Sequence, residues 1–306
     1  MQFDLIIIGG GPAGVAAGVY AARKKIKALL ITEGFGGQSL ISTEIQNWIG
    51  TKALSGYDLG KNLEDHLRAQ EIEIIDNDRV QTITKENDGF TLKTIKDNTL
   101  TTKTVLVAAG SRRRKLDIPG EKEFDGKGVA YCSTCDAPIF KNKVVAVIGG
   151  GNAGLEATVD LLSYCSKVYL LNRSDVLRGD PITQEKLKNN PKVVIITNAV
   201  PQKINGDKFV NSLDYLDTTD NQTKTIDVQG IFVEIGSVPN SEMVKDIVSL
   251  NKYGEIVVDH KTQQSSIPGI WAAGDISDVL YKQNNISAGD AVKAVLNINE
   301  YLSKSH

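Results

Sequence analysis

The chain has 306 residues, of which 41% are hydrophobic and 24% are charged, and its formal net charge is -2. This length allows two domains of ordinary size, and the composition is that of a globular protein. The near-neutral charge argues against nucleic acid or an anionic membrane as the main partner, and no apolar run approaches the roughly 18 residues that a membrane span needs.

The chain opens with a predicted strand, a glycine-rich turn and a helix. Leu5–Ile8 is apolar, the sequence GGGPAG follows at 9–14, and an Ala-rich segment runs to Lys25 before a second strand over Ala28–Thr32. In such a βαβ unit the three glycines of G-x-G-x-x-G allow a tight turn, the approach of a pyrophosphate and close packing of helix on strand. No basic segment precedes the first apolar run, so we expect no signal peptide and a cytoplasmic location.

The same pattern recurs 140 residues later. Val144–Ile148 is an apolar run, GGGNAG follows at 149–154, a helical segment reaches Tyr164, and Lys167–Leu171 forms the next strand. Two copies in the same context predict two dinucleotide sites. The fold class is therefore predicted as α/β, with two Rossmann-like three-layer dinucleotide-binding domains.

The two copies differ at the position that selects the nucleotide. Counting 24 residues on from the first glycine gives Glu33 in the first copy and Arg173 in the second. An acidic residue there accepts hydrogen bonds from ribose hydroxyls, whereas an arginine binds a 2′-phosphate. The first site therefore suits FAD or NAD and the second suits NADP, with Arg178 as a second clamp; an ordinary surface role for Arg173 is the alternative.

Two further apolar segments end in small residues, as expected where the backbone passes a cofactor. They are Thr104–Gly110 and Ile270–Asp275, and Asp275 is placed either beside a polar chain of the flavin or in a plain strand-end turn. Lys115–Gly120 and Gly236–Asn240 have the character of linkers. The second domain is thus predicted to be inserted into the first, with residues 1–114 and 241–306 forming the first domain and residues 115–240 the second.

A short basic run, Arg112–Lys115, adjoins the first linker. Such a run is either solvated surface or a patch that steers an acidic partner protein.

Cys132 and Cys135 form a Cys-x-x-Cys pair just before the second glycine-rich unit. Only Cys165 and three scattered histidines, His66, His260 and His306, remain as further ligands, so a zinc site is disfavoured and no metal is expected. Two intervening residues place both sulfurs on one turn, where they can cycle between dithiol and disulfide. Cys165 is predicted to be a buried residue of the helical stretch before Lys167.

Asp136 follows the pair directly and is the nearest titratable side chain in sequence. It is a candidate for proton transfer to the sulfurs. A helix N-cap is the alternative, and the two roles are compatible.

Taken together, these motifs make the chain resemble low-molecular-weight thioredoxin reductases over essentially its full length. The resemblance rests on GGGPAG at 9–14, GGQ at 36–38 with TEIQNW at 43–48, CSTCD at 132–136, GGGNAG at 149–154 and AAGD at 272–275. The same module occurs in the flavoprotein subunit of alkyl hydroperoxide reductase, behind an N-terminal thioredoxin-like region. Met1 stands just before the first strand, so we expect no such region here.

The resemblance implies FAD on the first domain, NADPH on the second, a homodimer, and thioredoxin or a similar small redox protein as partner. It implies that Cys135 faces the flavin, Cys132 attacks the partner's disulfide and Asp136 handles protons. The residues expected to contact FAD are Gly9, Gly11, Pro12, Ala13, Gly14, Glu33, Gly37, Gln38, Asn47, Ala109, Gly110, Gly274, Asp275, Lys282 and Gln283. Those expected to contact NADPH are Gly149, Gly151, Asn152, Ala153, Gly154, Arg173 and Arg178.

The chain departs from the family pattern at two places. The NADP signature His-Arg-Arg, with a further Arg, reads Asn172-Arg173-Ser174 with Arg178, which leaves NADH as a second donor. The flavin-proximal Arg-Gln pair reads Lys282-Gln283, which keeps the charge but loses the planar fork of arginine.

Three other functions are alternatives on the same residues. The first is an NADH-dependent disulfide reductase like the alkyl hydroperoxide reductase flavoprotein. The second is an NAD(P)H oxidase or a ferredoxin- or flavodoxin-NADP reductase, against which the cysteine pair argues. The third is a non-enzymatic dinucleotide-sensing module, against which the completeness of the motifs argues.

Overall fold

The computed structural model describes residues 2–42 and 44–304. Thr43, the first residue of the TEIQNW motif, and His306 lie outside the described residues. The chain divides into two compact units, and the second is inserted into the first. The first unit comprises Met1–Leu40, Asn47–Arg112 and Val238–His306, and the second comprises Ile41–Gln46 and Arg113–Ser237.

The crossing points between the units differ slightly from the predicted boundaries. The chain crosses at 112/113 and 237/238, two and three residues before the predicted 114/115 and 240/241. Ile41–Gln46 groups with the second unit, whereas the predicted boundaries place it in the first. This short stretch has no hydrophobic periodicity that would tell from sequence where it packs.

Both units contain helices and strands. The helices are α1 (Pro12–Arg23), α2 (Gly56–Arg68), α3 (Ser133–Asp136), α4 (Asn152–Leu162), α5 (Pro181–Lys188) and α6 (Asn284–Lys304). The strands of the first half are β1 (Gln2–Gly10), β2 (Ala28–Phe35), β3 (Glu73–Asp76), β4 (Val80–Glu86), β5 (Gly89–Thr94), β6 (Thr99–Val107), β7 (Ser111–Arg113), β8 (Val129–Ala130) and β9 (Val144–Ile148). Those of the second half are β10 (Lys167–Leu171), β11 (Val193–Ile196), β12 (Ala199–Gly206), β13 (Val210–Asp217), β14 (Gln222–Asp227), β15 (Gly230–Val233), β16 (Ser237–Pro239), β17 (Val258–Asp259), β18 (Gln264–Ser265) and β19 (Ile270–Ala272). Short 3₁₀ segments cover Gly37–Ile41, Ala137–Phe140 and Glu242–Val244.

The first unit is built on a nine-stranded sheet in the order β17-β18-β19-β6-β1-β2-β3, with β5 also pairing with β6 and β4 with β5. The strands from β19 to β3 run parallel. Leu5 and Ile7 pack on the helix side with α1 and α6, whereas Ile6 and Ile8 pack on the side of β4 and β5. Burial of both faces explains why β1 reads as a continuous apolar run.

The second unit repeats this plan on a smaller scale. Its parallel sheet has the order β11-β10-β9-β15-β8, and the antiparallel meander β12-β13-β14 forms a separate sheet. Val145 and Val147 pack with Leu155 of α4, while Ala146 and Ile148 pack with the meander. Each unit is thus a three-layer arrangement, and the predicted fold class is confirmed.

Two details of the predicted elements are wrong. The strand predicted to reach Gly110 ends at Val107, because the carbonyl groups of Ala109 and Gly110 bind Asn240 instead of a neighbouring strand. Cys165 is buried as predicted, but it lies after the end of α4 at Leu162 and not on the helix. Within the described residues, no helix has both the length and the apolar character that crossing a bilayer requires.

Candidate active site

The first glycine turn joins β1 to α1 and is shaped by contacts that only glycine allows. Gly9 has a φ of 115° and lies against the carbonyl group of Ala108, and a Cβ atom on Gly14 would overlap the carbonyl oxygen of Gly9. Gly11 is the N-cap of α1 without a side-chain cap, and a Cβ atom there would meet nothing within 4 Å. The turn therefore offers an uncapped helix N-terminus and open space, the two features that a pyrophosphate needs.

Two other predicted groups lie beside this turn. The Gly36 amide donates to the Gly10 carbonyl oxygen at 3.0 Å, and Gly37 approaches the Cα of Gly11. Glu33, near the end of β2, keeps 63% of its side chain exposed, and its only ion-pair partner among the described residues is Arg79 at 3.8 Å. Its carboxylate is therefore accessible to a ribose.

Gln38 links three segments of the first unit. Its amide nitrogen donates to Ser111 Oγ at 3.2 Å and to Asp275 Oδ2 at 3.3 Å. Gly274, with a φ of 78°, brings the turn after β19 against Ala13 at the start of α1. The predicted residues Ala13, Gln38, Gly274 and Asp275 thus meet at one place.

A second polar cluster lies where α6 begins. Asn47 Nδ2 donates to Gln283 Oε1 at 3.2 Å, and Asn285 Nδ2 donates to the Asn47 carbonyl oxygen at 2.7 Å. Ser39 Oγ donates to Asn284 Oδ1 at 3.2 Å. These bonds bring the GGQ segment, Asn47 and the Lys282-Gln283 pair together.

Lys282 is fully engaged within the protein. Its ammonium group forms an ion pair with Glu255 at 2.9 Å and donates to the carbonyl oxygens of Asp275 at 3.2 Å and Ser277 at 2.6 Å. Both partners of the ion pair are largely buried, at 22% and 18% side-chain exposure. Lys282 therefore fixes the main chain that carries Asp275.

The second glycine turn, between β9 and α4, repeats the geometry of the first. A Cβ atom on Gly154 would overlap the carbonyl oxygen of Gly149, which itself has a φ of 134°. Gly151 is the N-cap of α4, again without a side-chain cap and with nothing within 4 Å. Asn152 uses its amide oxygen to accept from the Asp180 main chain at 2.8 Å, so it holds the loop after β10.

That loop carries the two predicted arginines. Arg173 and Arg178 are both exposed, and within the described part of the chain neither guanidinium group forms an ion pair. The main-chain N–H of Arg178 donates to the Gly150 carbonyl oxygen at 2.8 Å, which fixes it beside the glycine turn. Asn172 is buried, and its amide donates to the carbonyl oxygens of Ser174 and Val176, so it shapes the loop from inside.

Cys132 and Cys135 are joined in a disulfide with their Cα atoms 5.3 Å apart. The intervening Ser133 begins the single turn of α3, and its hydroxyl donates to Asp160 of α4 at 2.9 Å. The Asp136 amide donates to the Cys132 carbonyl oxygen at 3.0 Å, which closes the turn. Asp136 stands at the N-cap position of the 3₁₀ segment Ala137–Phe140, but its side chain makes no capping hydrogen bond there.

Two carboxyl groups of the second unit have perturbed pKa values beside this turn. Burial raises the pKa of Asp136 to about 6, against the opposing effect of Arg113. Burial also raises the pKa of Glu234 to about 7, opposed by Arg113 and by a hydrogen bond from the Ser133 main chain. Carboxyl groups that titrate near neutral pH are suited to proton transfer.

The basic run is divided among separate contacts. Arg112 pairs with Glu242 at 2.7 Å, Lys115 pairs with Asp125 at 3.1 Å and lies 3.7 Å above the ring of Tyr131, and Arg113 faces Asp136 and Glu234. Among the described residues only Arg114 of the four has no charged partner. Three of the four side chains thus face charged groups within the protein, and the steering patch stays a prediction.

Comparison with known proteins identifies the family. A sequence model described as pyridine nucleotide-disulphide oxidoreductase matches residues 3–293. The chain belongs to this family. In structure it is similar to the thioredoxin reductase of Streptococcus pyogenes, with a TM-score of 0.92, 32% identity and 99% of both chains covered. The resemblance to thioredoxin reductases is thereby confirmed.

Two curated relatives are more similar in sequence. One is an NADH dehydrogenase of Bacillus subtilis, 41% identical over 303 residues, and the other is a subunit of the alkyl hydroperoxide reductase of Pseudomonas aeruginosa, 41% identical over 307 residues. Each alignment covers 99% of this chain, and the chain spans 59% of the length of each relative.

Membership makes the chain an oxidoreductase and a flavoprotein, and it implies FAD together with a nicotinamide nucleotide. The structure fits both groups. The first glycine turn presents an uncapped helix N-terminus with open space at Gly11, and the second does so at Gly151. The residue 24 positions after the first glycine of each turn is exposed, Glu33 in the first copy and Arg173 in the second. The family description also names a disulfide, and the described residues contain one, between Cys132 and Cys135.

Sequence reasoning missed four polar residues of these sites. They are Asn240, Glu255, Asp160 and Glu234. The Asn240 amide donates to the Ala109 carbonyl oxygen, Glu255 forms an ion pair with Lys282, and Asp160 accepts a hydrogen bond from Ser133. One signal was present for Glu234: it directly follows the apolar run of β15, and side chains at the carboxyl ends of parallel strands commonly form sites.

Proposed function

We propose that the chain is a flavin-dependent reductase of protein disulfides, which takes electrons from NADPH and delivers them through Cys132 and Cys135 to thioredoxin or a similar small redox protein. The observation that carries the proposal is the Cys132–Cys135 disulfide, which lies in the same compact unit as the second glycine turn and beside two carboxyl groups titrating near neutral pH.

The two glycine turns and their neighbours bind and orient the nucleotides. Gly9, Gly11 and Gly14 with Glu33 receive FAD, and Gly149, Gly151 and Gly154 with Arg173 and Arg178 receive NADPH. FAD, when bound, supplies two-electron transfer between the nicotinamide and the disulfide. The remaining predicted contacts shape these two sites. Those of the FAD site are Pro12, Ala13, Gly37, Gln38, Asn47, Ala109, Gly110, Gly274, Asp275, Lys282 and Gln283. Those of the NADPH site are Asn152 and Ala153.

The cysteine pair then acts by thiol–disulfide exchange. After the pair is reduced, the Cys132 thiolate attacks a sulfur of the partner's disulfide, and a bond forms between the two proteins while the partner releases one thiolate. Cys135 attacks Cys132 in turn, which restores the disulfide and frees the reduced partner. Asp136, with a pKa raised to about 6, exchanges protons with the sulfurs during these steps.

A Cys135→Ser variant tests this electron path. We expect NADPH still to bleach the flavin absorbance of the variant, because hydride transfer does not involve the pair, while reduction of oxidised thioredoxin is lost. A variant whose flavin is no longer reduced by NADPH contradicts the path. Full thioredoxin reduction by both Cys132→Ser and Cys135→Ser contradicts the role of the pair.

NADH is a second candidate donor, and two observations favour it. The relatives at 41% identity include a protein named NADH dehydrogenase, and one arginine of the NADP signature is replaced here by Ser174. Stopped-flow reduction with NADPH and NADH in parallel decides between them. A preference for NADH of more than about tenfold, which corresponds to about 1.4 kcal/mol, excludes NADPH as the main donor.

The resemblance also leads us to propose a cytoplasmic homodimer. Sedimentation equilibrium of the purified flavoprotein tests its oligomeric state, and a monomer at micromolar concentration contradicts the dimer. The partner is tested by supplying thioredoxin, a glutaredoxin-like protein and a peroxidase component as alternative disulfide substrates.

A further inference from the structure

The residue on each side of Cys132 is anchored by a carboxylate of the second unit. Tyr131 precedes Cys132, and its hydroxyl donates to Glu121 Oε1 at 3.0 Å. Ser133 follows Cys132, and its hydroxyl donates to Asp160 Oδ2 at 2.9 Å. Tyr131 and Ser133 are buried, with 3% and 7% exposure, whereas Cys132 between them is half-buried. Cys132 is therefore held through its two neighbours, while its own side chain stays partly exposed.

We propose that Glu121 and Asp160 are positioning residues for the redox-active turn. Acting through the two neighbours of Cys132, their carboxylates hold its sulfur near that of Cys135 after the disulfide opens, and they thereby favour closure of the disulfide. The inference rests on the proposed function, because it assumes that the pair cycles between disulfide and dithiol.

Glu121 is fixed by other contacts besides the one with Tyr131. It is buried, and its carboxylate accepts main-chain hydrogen bonds from Leu116 at 2.9 Å and Asp117 at 2.8 Å. The Lys115 ammonium group lies 3.7 Å from the centroid of the Tyr131 ring. Burial and the charge of Glu121 raise the pKa of Tyr131, so its hydroxyl remains a donor at neutral pH. The start of the redox-active turn is thus tied to the segment that follows β7.

Asp160 ties the same turn to α4, the helix that begins at the second glycine turn. The Oδ2 atom that accepts from Ser133 is also the acceptor for the Thr134 hydroxyl, at 3.5 Å. Both residues between the two cysteines therefore bind a single carboxylate oxygen. The next residue of α4, Leu161, is fully buried in the core of the unit, so the anchor stands on a helix that is packed in place.

The two anchors matter more in one redox state than in the other. In the disulfide state the S–S bond itself holds the sulfurs together. Reduction breaks this bond, and two electrons from the reductant with two protons give two thiols. The sulfurs are then kept close by the hydrogen bond from the Asp136 N–H to the Cys132 carbonyl oxygen, at 3.0 Å, and by the anchors. Because the anchors limit the conformational entropy that the dithiol gains, they stabilise the disulfide relative to it.

Deletion of a single hydroxyl tests each anchor in the full flavoprotein. Ser133→Ala and Tyr131→Phe each remove one oxygen, and Glu121 keeps its two main-chain donors, so both variants are expected to fold. The proteins are equilibrated in mixtures of reduced and oxidised dithiothreitol, quenched with acid and alkylated, and the reduced fraction of the pair is measured by peptide mass spectrometry. We expect the reduction potential of the pair to rise by about 30 mV in each variant, which corresponds to a tenfold change in the equilibrium constant. Unchanged potentials in both variants overturn the proposal.

Substitutions of Asp160 separate anchoring from charge. Asp160→Ala removes the acceptor and the charge, whereas Asp160→Asn removes the charge but keeps an oxygen that accepts from Ser133. We expect Asp160→Ala to raise the potential as much as Ser133→Ala, the double variant to add nothing further, and Asp160→Asn to show the smaller shift. Equal shifts in Asp160→Ala and Asp160→Asn, with none in Ser133→Ala, mean that the charge acts through space and overturn the proposal.

Tyr215→Phe and Ser212→Ala are the matched controls, because they delete the same two kinds of hydroxyl on β13, in the meander of the same unit. Neither is expected to change the potential, and shifts as large as those of Tyr131→Phe and Ser133→Ala contradict a specific role for the anchors. Failure of the proposed function is a separate result. A wild type that does not reduce thioredoxin still gives a potential for its cysteine pair, and the anchors are tested on that potential.

Discussion

The carbonyl oxygen of Gly149 occupies the space that a side chain on Gly154 would need. The contact is between backbone atoms on both sides, so neither can move aside without displacing the start of α4 from β9. Gly151, two residues after Gly149 in the same turn, meets nothing within 4 Å and has an ordinary φ of -92°.

We therefore expect the same substitution to affect stability at one of these glycines and nucleotide binding at the other. Gly154→Ala is expected to lower the free energy of unfolding by about 1–3 kcal/mol, because the added methyl group forces the helix away from the strand. Gly151→Ala is expected to leave stability unchanged but to weaken NADPH binding at least tenfold, because the methyl group enters the space needed by the pyrophosphate. Urea unfolding and fluorescence titration with NADPH measure the two effects. Equal loss of stability in both variants contradicts this assignment of the glycines.

The choice of nucleotide is expected to depend on Arg173. In Arg173→Ala the KM for NADPH is predicted to rise by about tenfold to a hundredfold, because one charged hydrogen bond to the nucleotide is lost. The KM for NADH is expected to stay constant. Ser174→Arg, which restores the missing arginine of the family signature, is expected to increase the preference for NADPH.

Arg114→Ala provides the control for this experiment, since Arg114 is likewise exposed and forms no ion pair within the described residues. Steady-state kinetics with both nucleotides give the comparison. If Arg173→Ala raises both KM values equally, the guanidinium group does not bind the 2′-phosphate.

The raised pKa of Asp136 predicts a pH-dependent cost to stability. The pKa of its carboxyl group is about 6 in the folded protein and near 3.8 when unfolded, so the folded state binds the proton more tightly. Ionisation of Asp136 therefore lowers the free energy of unfolding by about 1–3 kcal/mol above pH 6. Below about pH 4 the group is protonated in both states and has no such effect.

Asp136→Asn is accordingly expected to be more stable than the wild type at pH 7 and equally stable at pH 4, as measured by urea unfolding at the two pH values. Its disulfide reductase activity is expected to fall by about a hundredfold, because proton exchange with the sulfurs is lost. A constant difference in stability across this pH range argues against titration of Asp136 as the cause.

The buried ion pair between Lys282 and Glu255 predicts a role in retaining FAD. Lys282→Met leaves Glu255 without its cation and removes the ammonium group that donates to the Asp275 carbonyl oxygen. We expect the free energy of unfolding to fall by about 2 kcal/mol and the dissociation constant of FAD to rise about tenfold. Lys25→Met, which breaks an ion pair with 79% and 89% side-chain exposure, is the control and is expected to change neither quantity. FAD release on gel filtration and urea unfolding test both variants.

Features set by neighbouring residues could be predicted from the sequence, and those set by distant segments could not. In both glycine turns the contact between the last glycine and the first lies within six residues, and β9 and β10 have their predicted bounds. The end of β6 at Val107 depends on Asn240, which arrives from a segment that reads as a linker. Lys282 stands out in the sequence as a departure from the family pattern, but its partner Glu255 is defined only by the folded chain.

The near-identity of the two glycine turns has a consequence for how nucleotide preference changes. Since the two turns share their backbone geometry, the two sites differ in side chains such as Glu33, near the end of β2, and Arg173, on the loop after β10. Both side chains are exposed and support no core packing. A point substitution there alters which nucleotide is held without disturbing the turn that holds it. Donor preference is therefore a trait that drift or selection can reverse within an otherwise unchanged scaffold, and relatives sharing this fold need not share their electron donor.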